Sequence, residues 1–135
     1  MSTILLVDAN REDVDRLSCF LKRSGHNVIV RAEGFSALTV IRNGTRVDAV
    51  IAETHLADMD GYKFLGGVRK HAPNVPVIVL SDADSVEEYL QCLNLGVYEF
   101  VNKPVAERTF EQIVSSALRQ ADAGAAGPAR SDGRC

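Results

Sequence analysis

The run Thr3-Ile4-Leu5-Leu6-Val7, closed by Asp8-Ala9-Asn10, decides how the rest of the chain reads. Its apolar character is continuous rather than alternating. That pattern marks a strand buried on both faces, as strands are in a parallel sheet covered by helices on either side. Asp8-Ala9-Asn10 then turns the chain. Asn10 is a good N-cap, and Asp13 stands three residues on, near the positive end of the helix that follows. Val14, Leu17 and Leu21 share one face of that helix, and Ser24-Gly25 stops it.

Outward from this unit the pattern repeats four more times. Val28 to Val30 reads as a second strand, and a short helix carrying Phe35, Leu38 and Ile41 runs to Asn43-Gly44. Asp48 opens a third strand, Ala49 to Ala52. A polar loop from Glu53 to Gly61 leads into a helix from about Tyr62 to His71, with Phe64, Leu65 and Val68 as its apolar face. Val77 to Leu80 is the fourth strand. Ser81 to Ser85 is a polar loop with Ser85 or Asp84 as cap. The next helix is expected to bury Val86, Tyr89, Leu90 and Leu93, which have the spacing of one helical face. Glu99 to Asn102 is the fifth strand, and the last helix shows Phe110, Ile113, Val114, Ala117 and Leu118 as one stripe. Five strand-then-helix units predict an α/β fold, a doubly wound parallel sheet with helices on both faces. Residues 1–120 form one domain in this reading. After Gln120 the pattern stops, and 121–135, rich in Ala, Gly, Ser and charge, reads as a disordered tail.

The bulk properties narrow the function. The chain has 135 residues, 46% of them hydrophobic and 24% charged, a globular composition with room for a core. The net charge is -3 with the signs interspersed, so no basic footprint for nucleic acid stands out. The apolar runs are strand-length, which gives no support to a membrane partner. No signal-peptide pattern is read at the start, and Cys19, Cys92 and Cys135 are too scattered for a disulfide framework or a zinc site. The expected compartment is the cytoplasm. Cys19 and Cys92 read as buried small hydrophobes. His26, His55 and His71 read as surface residues, and Glu87, Glu88, Glu99, Arg108 and Glu111 as a solvated face.

In sheets of this kind sites form at the carboxyl ends of the strands. Asp8, Glu53, Ser81 and Lys103 stand there. Leu6-Val7-Asp8, Asp58-Met59-Asp60-Gly61, Val79-Leu80-Ser81 and Lys103-Pro104, in order and spacing over about residues 3 to 119, resemble bacterial response-regulator receiver domains. The resemblance implies a flavodoxin-like strand order of 2-1-3-4-5, for which a member of this family is the standing example. It also implies a site in which acidic residues after the first strand help hold magnesium and an aspartate ending the third strand accepts a phosphoryl group. A Ser or Thr after the fourth strand then bonds that group, and a lysine followed by a cis proline pairs with the acceptor. Asp8, Ser81, Lys103 and Pro104 match these positions, and Phe100 matches an aromatic switch position on the fifth strand.

Two positions depart from the pattern. Ala9 stands where a second metal-holding acid belongs, and Glu53 stands where the acceptor aspartate belongs. Magnesium requires oxygen ligands in near-octahedral geometry, and a methyl group supplies none. The extra methylene of Glu53 displaces its carboxylate by roughly 1.5 Å, when errors near 1 Å can already cost about 10²-fold in rate. The expectation is a receiver that works without phosphorylation, with no catalytic residue, no dedicated metal site and no cofactor, weak magnesium binding being left open. Glu53 is read either as an incomplete stand-in for a phosphorylated aspartate, with one charge against nearly two, or as a plain ion-pair partner of Lys103. Output then comes through a protein partner, a histidine kinase or a downstream signalling protein. The fourth helix, fifth strand and last helix are the candidate surface for that partner or for a homodimer. Two alternatives stay open: slow phosphorylation on Glu53 or Asp60, and a flavodoxin-like enzyme. The second has little support, since Asp8 to Asp13 contains no glycine-rich phosphate cradle.

Overall fold

The computed structural model describes residues 2–82 and 85–126, with side chains as far as Ala121. The elements run β1 (Thr3–Val7), α1 (Arg11–Arg23), β2 (Asn27–Arg31), α2 (Gly34–Arg42), β3 (Ala49–Glu53), α3 (Gly61–His71), β4 (Val77–Ser81), α4 (Val86–Asn94), β5 (Glu99–Asn102) and α5 (Glu107–Ala126). The strands form one parallel sheet in the order β2-β1-β3-β4-β5. The three central strands are buried almost throughout, which is why their sequences are continuously apolar.

Alternation along each strand divides the core in two. Leu5, Val7, Val50, Ala52, Val77 and Val79 pack with Ala37, Val40 and Ile41 of α2, Phe64, Leu65 and Val68 of α3, and Cys92 of α4. Ile4, Leu6, Ala49, Ile51, Ile78 and Leu80 pack with Leu17 and Leu21 of α1 and with Phe110, Val114 and Ala117 of α5. Registers Val7 to Ala52 and Glu53 to Leu80 bring the strand ends level, so Asp8, Glu53 and Ser81 emerge side by side. Gly61 helps fix the loop after β3: a Cβ there would lie 2.2 Å from the Thr54 carbonyl oxygen, so only glycine lets α3 begin this close.

Several local expectations need correction. Val86, Tyr89, Leu90 and Leu93 do not face the core; they are 74%, 42%, 52% and 40% exposed, and the buried residue of α4 is Cys92. Phe35 is likewise exposed, because α2 turns Ala37 and Val40 inward beside the expected Ile41. Cys19 is exposed while Cys92 is buried, since Leu17, Ser18 and Leu21 are the inward positions of α1. The last helix continues to Ala126 rather than ending at Gln120; Ala121 to Ala126 are mostly good helix formers that extend it without an apolar stripe. The remainder of the expected tail, 127–135, lies outside the described residues, as does Asp84. Ser85 is the cap of α4, accepting from the Glu88 amide.

Candidate functional site

Asp8 follows β1, Glu53 ends β3, Ser81 ends β4 and Lys103 follows β5, so parallel pairing alone gathers them at one edge of the sheet. The Lys103–Pro104 peptide bond is cis. Asp8, Glu53 and Ser81 are buried, and the Lys103 side chain is 7% exposed. The Lys103 ammonium lies 2.9 Å from Asp8 Oδ2, 2.8 Å from Asp13 Oδ2 and 2.8 Å from Glu53 Oε1. The first two are aligned hydrogen bonds. The third is a charge contact without good hydrogen-bond alignment, so Glu53 Oε1 is compensated by charge rather than by a directed N–H. Burial pulls the lysine pKa down, and the three carboxylates of Asp13, Glu53 and Asp8 beside it more than reverse this, leaving it above the ordinary lysine value.

The other Glu53 oxygen, Oε2, accepts from the Thr54 amide at 3.0 Å and the His55 amide at 3.3 Å. The Thr54 hydroxyl lies 3.2 Å from the same oxygen, 3.2 Å from Ser81 Oγ and 3.0 Å from Glu88 Oε1. Ser81 Oγ donates to Glu88 Oε1 at 2.8 Å. The His55 ring stands between two carboxylates, with Nδ1 3.6 Å from Glu53 Oε2 and Nε2 3.7 Å from Glu88 Oε2. The site therefore has two halves. One is a lysine ringed by three carboxylates; the other is a pair of hydroxyls engaged by Glu88 from α4.

Order, spacing, the cis proline and the four strand-end positions are together those of one family, and the profile of the response regulator receiver domain matches residues 4–115. This chain belongs to the response-regulator receiver family. The receiver is 31% identical to the transcriptional regulatory protein GlrR of Escherichia coli over 117 residues, covering 87% of this chain and 26% of that protein. It is 32% identical to the probable transcriptional regulatory protein TcrX of Mycobacterium tuberculosis over 102 residues, covering 76% of this chain and 43% of that one. The chain thus spans about a quarter to under a half of these relatives' lengths. A CheY-like receiver domain protein from Methanospirillum hungatei superposes with a TM-score of 0.87 at 23% identity, covering 92% of this chain and 98% of that one. At that identity the likeness speaks for the fold.

Four residues of this receiver site went unread in the sequence. Asp13 reads as a first-turn acid, and its amide is indeed capped by Asn10, but its carboxylate also meets Lys103. Thr54 carries no sequence signal of its own beyond adjacency to Glu53. His55 is exposed, as expected of a surface histidine, yet stands between two acids. Glu88 reads as part of a solvated face; its side chain is only 13% exposed. The Ser85-x-x-Glu88 spacing suggests a capping box, but the carboxylate is directed at Ser81 and Thr54.

Asp58 and Asp60, the loop acids, have local work. Asp58 accepts from the Gly34 and Phe35 amides at 2.8 and 2.9 Å, capping α2 from across the loop. These bonds, that from Phe35 first, hold its pKa below the usual aspartate value. Asp60 caps α3 through the Tyr62 amide at 2.7 Å. Phe100 is half-buried on β5 and meets Tyr89 edge-on, with centroids 5.7 Å apart. A cavity of about 820 Å³ runs along α1 and β2 and touches the site only at Asp8 and Ala9. Among the described residues no helix is long and apolar enough to cross a membrane.

Proposed function

We propose that this receiver signals by binding protein partners and does not depend on phosphorylation. The observation that carries the reading is the Lys103 ammonium, which lies within 2.9 Å of carboxylate oxygens of Asp8, Asp13 and Glu53. The carboxylate at the acceptor position is thereby engaged on both oxygens, one by Lys103 and the other by the Thr54 and His55 amides. A phosphoryl group would have to displace that ion pair. Phosphoryl transfer relies on positioning and charge neutralisation, which the family achieves with a metal. The donors here suit magnesium poorly: Ala9 supplies no oxygen, and three carboxylates already share one ammonium. No catalytic residue, metal or cofactor is assigned.

Ion pairing to Lys103 favours the simpler of the two roles for Glu53, a lock that holds one conformation. Slow modification of Asp60 gains little from its geometry, because that carboxylate caps α3. The partner is a protein, a histidine kinase or a downstream signalling protein in the cytoplasm. The surface offered to it is the exposed apolar side of α4 with β5 and α5, which also serves a homodimer. The curated relatives matched are named transcriptional regulatory proteins, so an output of that kind, carried by a separate chain or domain, fits.

The test is intact mass after incubation with magnesium and a small phosphodonor, beside an Ala9→Asp, Glu53→Asp double variant. The expected result is a phosphoryl adduct on the double variant alone. An adduct on the native chain would overturn the reading, and mapping it would separate Glu53 from Asp60.

A further inference from the structure

Helix α4 lies with the less apolar of its faces inward. Its stripe Val86, Tyr89, Leu90 and Leu93 is exposed, and Cys92 is its buried residue. Burial of one thiol side chain, with the edge contact of the half-exposed Tyr89 ring on Phe100, is a small driving force for a nine-residue helix, since short helices are held mainly by the apolar face they bury. The rest of its attachment therefore needs a source. Glu88 sits one turn before Cys92, on the same inward side. Its carboxylate accepts from Ser81 Oγ at 2.8 Å, lies 3.0 Å from Thr54 Oγ1, and has the His55 ring 3.7 Å from its other oxygen. Hydrogen bonds to an ionised, largely buried acceptor are the stronger kind.

We infer that Glu88 is an internal clamp: its carboxylate engages the Ser81 and Thr54 hydroxyls and fastens α4, apolar stripe outward, to the ends of β3 and β4. This deepens the phosphorylation-independent reading and rests on it in one respect, since the hydroxyl that would bond an incoming phosphoryl group is here engaged by the chain's own acid. Charge balance around the clamp involves Glu53 on β3, His55 on the following loop, and Lys103 beyond Glu53. The Thr54 hydroxyl has one proton to share among Glu53, Glu88, Ser81 Oγ and the His55 ring, while Ser81 donates to Glu88. The clamp thereby touches the Lys103 half of the site through Thr54.

The experiment is hydrogen exchange on the full chain, comparing peptides from α4 with peptides from α3 and β3. Glu88→Ala is expected to speed exchange in α4 at least tenfold and leave α3 within twofold, with a smaller acceleration for Glu88→Gln, which keeps an acceptor for Ser81. Glu87→Ala is the control: Glu87 is exposed in the same first turn, so it loses the same helix-end charge without touching Ser81. Ser81→Ala should accelerate α4 as well, and the Ser81→Ala, Glu88→Ala pair should exceed the larger single effect by less than twofold, because partners in one interaction are not additive. Unchanged α4 exchange in Glu88→Ala overturns the clamp. So does an equal acceleration in Glu87→Ala, or a uniform acceleration across every element, which would make Glu88 a residue of general stability. A native chain that gained a phosphoryl group while α4 still depended on Glu88 would overturn the phosphorylation-independent reading and leave the clamp standing.

Discussion

Helices α4 and α5 precede and follow the edge strand β5 and carry apolar stripes of similar spacing, but they meet the sheet in opposite senses. α5 sets Phe110, Val114 and Ala117 against Leu17, Leu21, Ile78 and Leu80. α4 leaves Val86, Leu90 and Leu93 largely in solvent and reaches the sheet with Cys92, the Glu88 carboxylate and the half-exposed Tyr89 ring against Phe100. Periodicity thus shows that a helix has an apolar face. It does not show what that face meets, and the difference divides the two flanks of β5 into one held by packing and one held by a polar tie.

The sharpest way to break this comparison is at Phe110, which is 1% exposed in the α5 core. Phe110→Ala should cost about 3–5 kcal/mol, as large-to-small changes at well-packed aromatic sites do. Urea unfolding checks it through a lower midpoint at an unchanged slope. A cost under about 1 kcal/mol would mean that α5 is not packed as described.

Much of the fold was legible in residues whose burial is set locally. The run Ile4 to Val7 is apolar because both faces are covered, and the stops at Gly25, Gly44 and Gly96, all with positive φ, are marked by the residue type that adopts that backbone readily. Asp8, Glu53, Ser81 and Lys103 were legible because parallel strands bring their carboxyl ends together whatever the loops do. Asp13 and Glu88 were not. Each lies on a helix surface where an acid has an ordinary explanation, favourable interaction with the helix dipole. Only the rotation of α1 and α4 against the sheet aims those carboxylates at Lys103 and Ser81. That rotation is a tertiary result, and the stripe on α4 pointed the other way.

A smaller effect sharpens the comparison on the α4 side. Cys92 is fully buried, and burial, with Glu88 nearby, pushes its thiol up to about 11 from 9.0. The sign follows from proton counts. Between about pH 9 and 11 the unfolded chain sheds this proton while the folded chain keeps it, so stability falls as pH rises through that window. A rise of that size corresponds to on the order of 1–3 kcal/mol. Lys103, whose pKa is also raised, loses its contribution only above the ordinary lysine value of 10.5. Unfolding measured at pH 8 and pH 10 should therefore show a fall that Cys92→Ala reduces. An identical fall in both proteins would mean that the thiol, and with it the inner face of α4, reaches solvent.

The smallest expected change in stability lies at Leu90, 52% exposed at the centre of the α4 stripe. By spacing alone this position belongs to a core, and its loss should then cost several kcal/mol, as at Phe110. By its observed exposure, Leu90→Ser should shift stability by no more than about 0.5 kcal/mol. Exposed apolar side chains in a contiguous stripe mark a surface that associates. Leu90→Ser is therefore expected to weaken self-association or partner binding, read by sedimentation against the native chain, while the melting curve stays in place. A destabilisation above about 1 kcal/mol would place the stripe inside the fold in solution. It would also remove the reason for a carboxylate clamp, since a helix packed on four apolar residues does not need Glu88 to hold it.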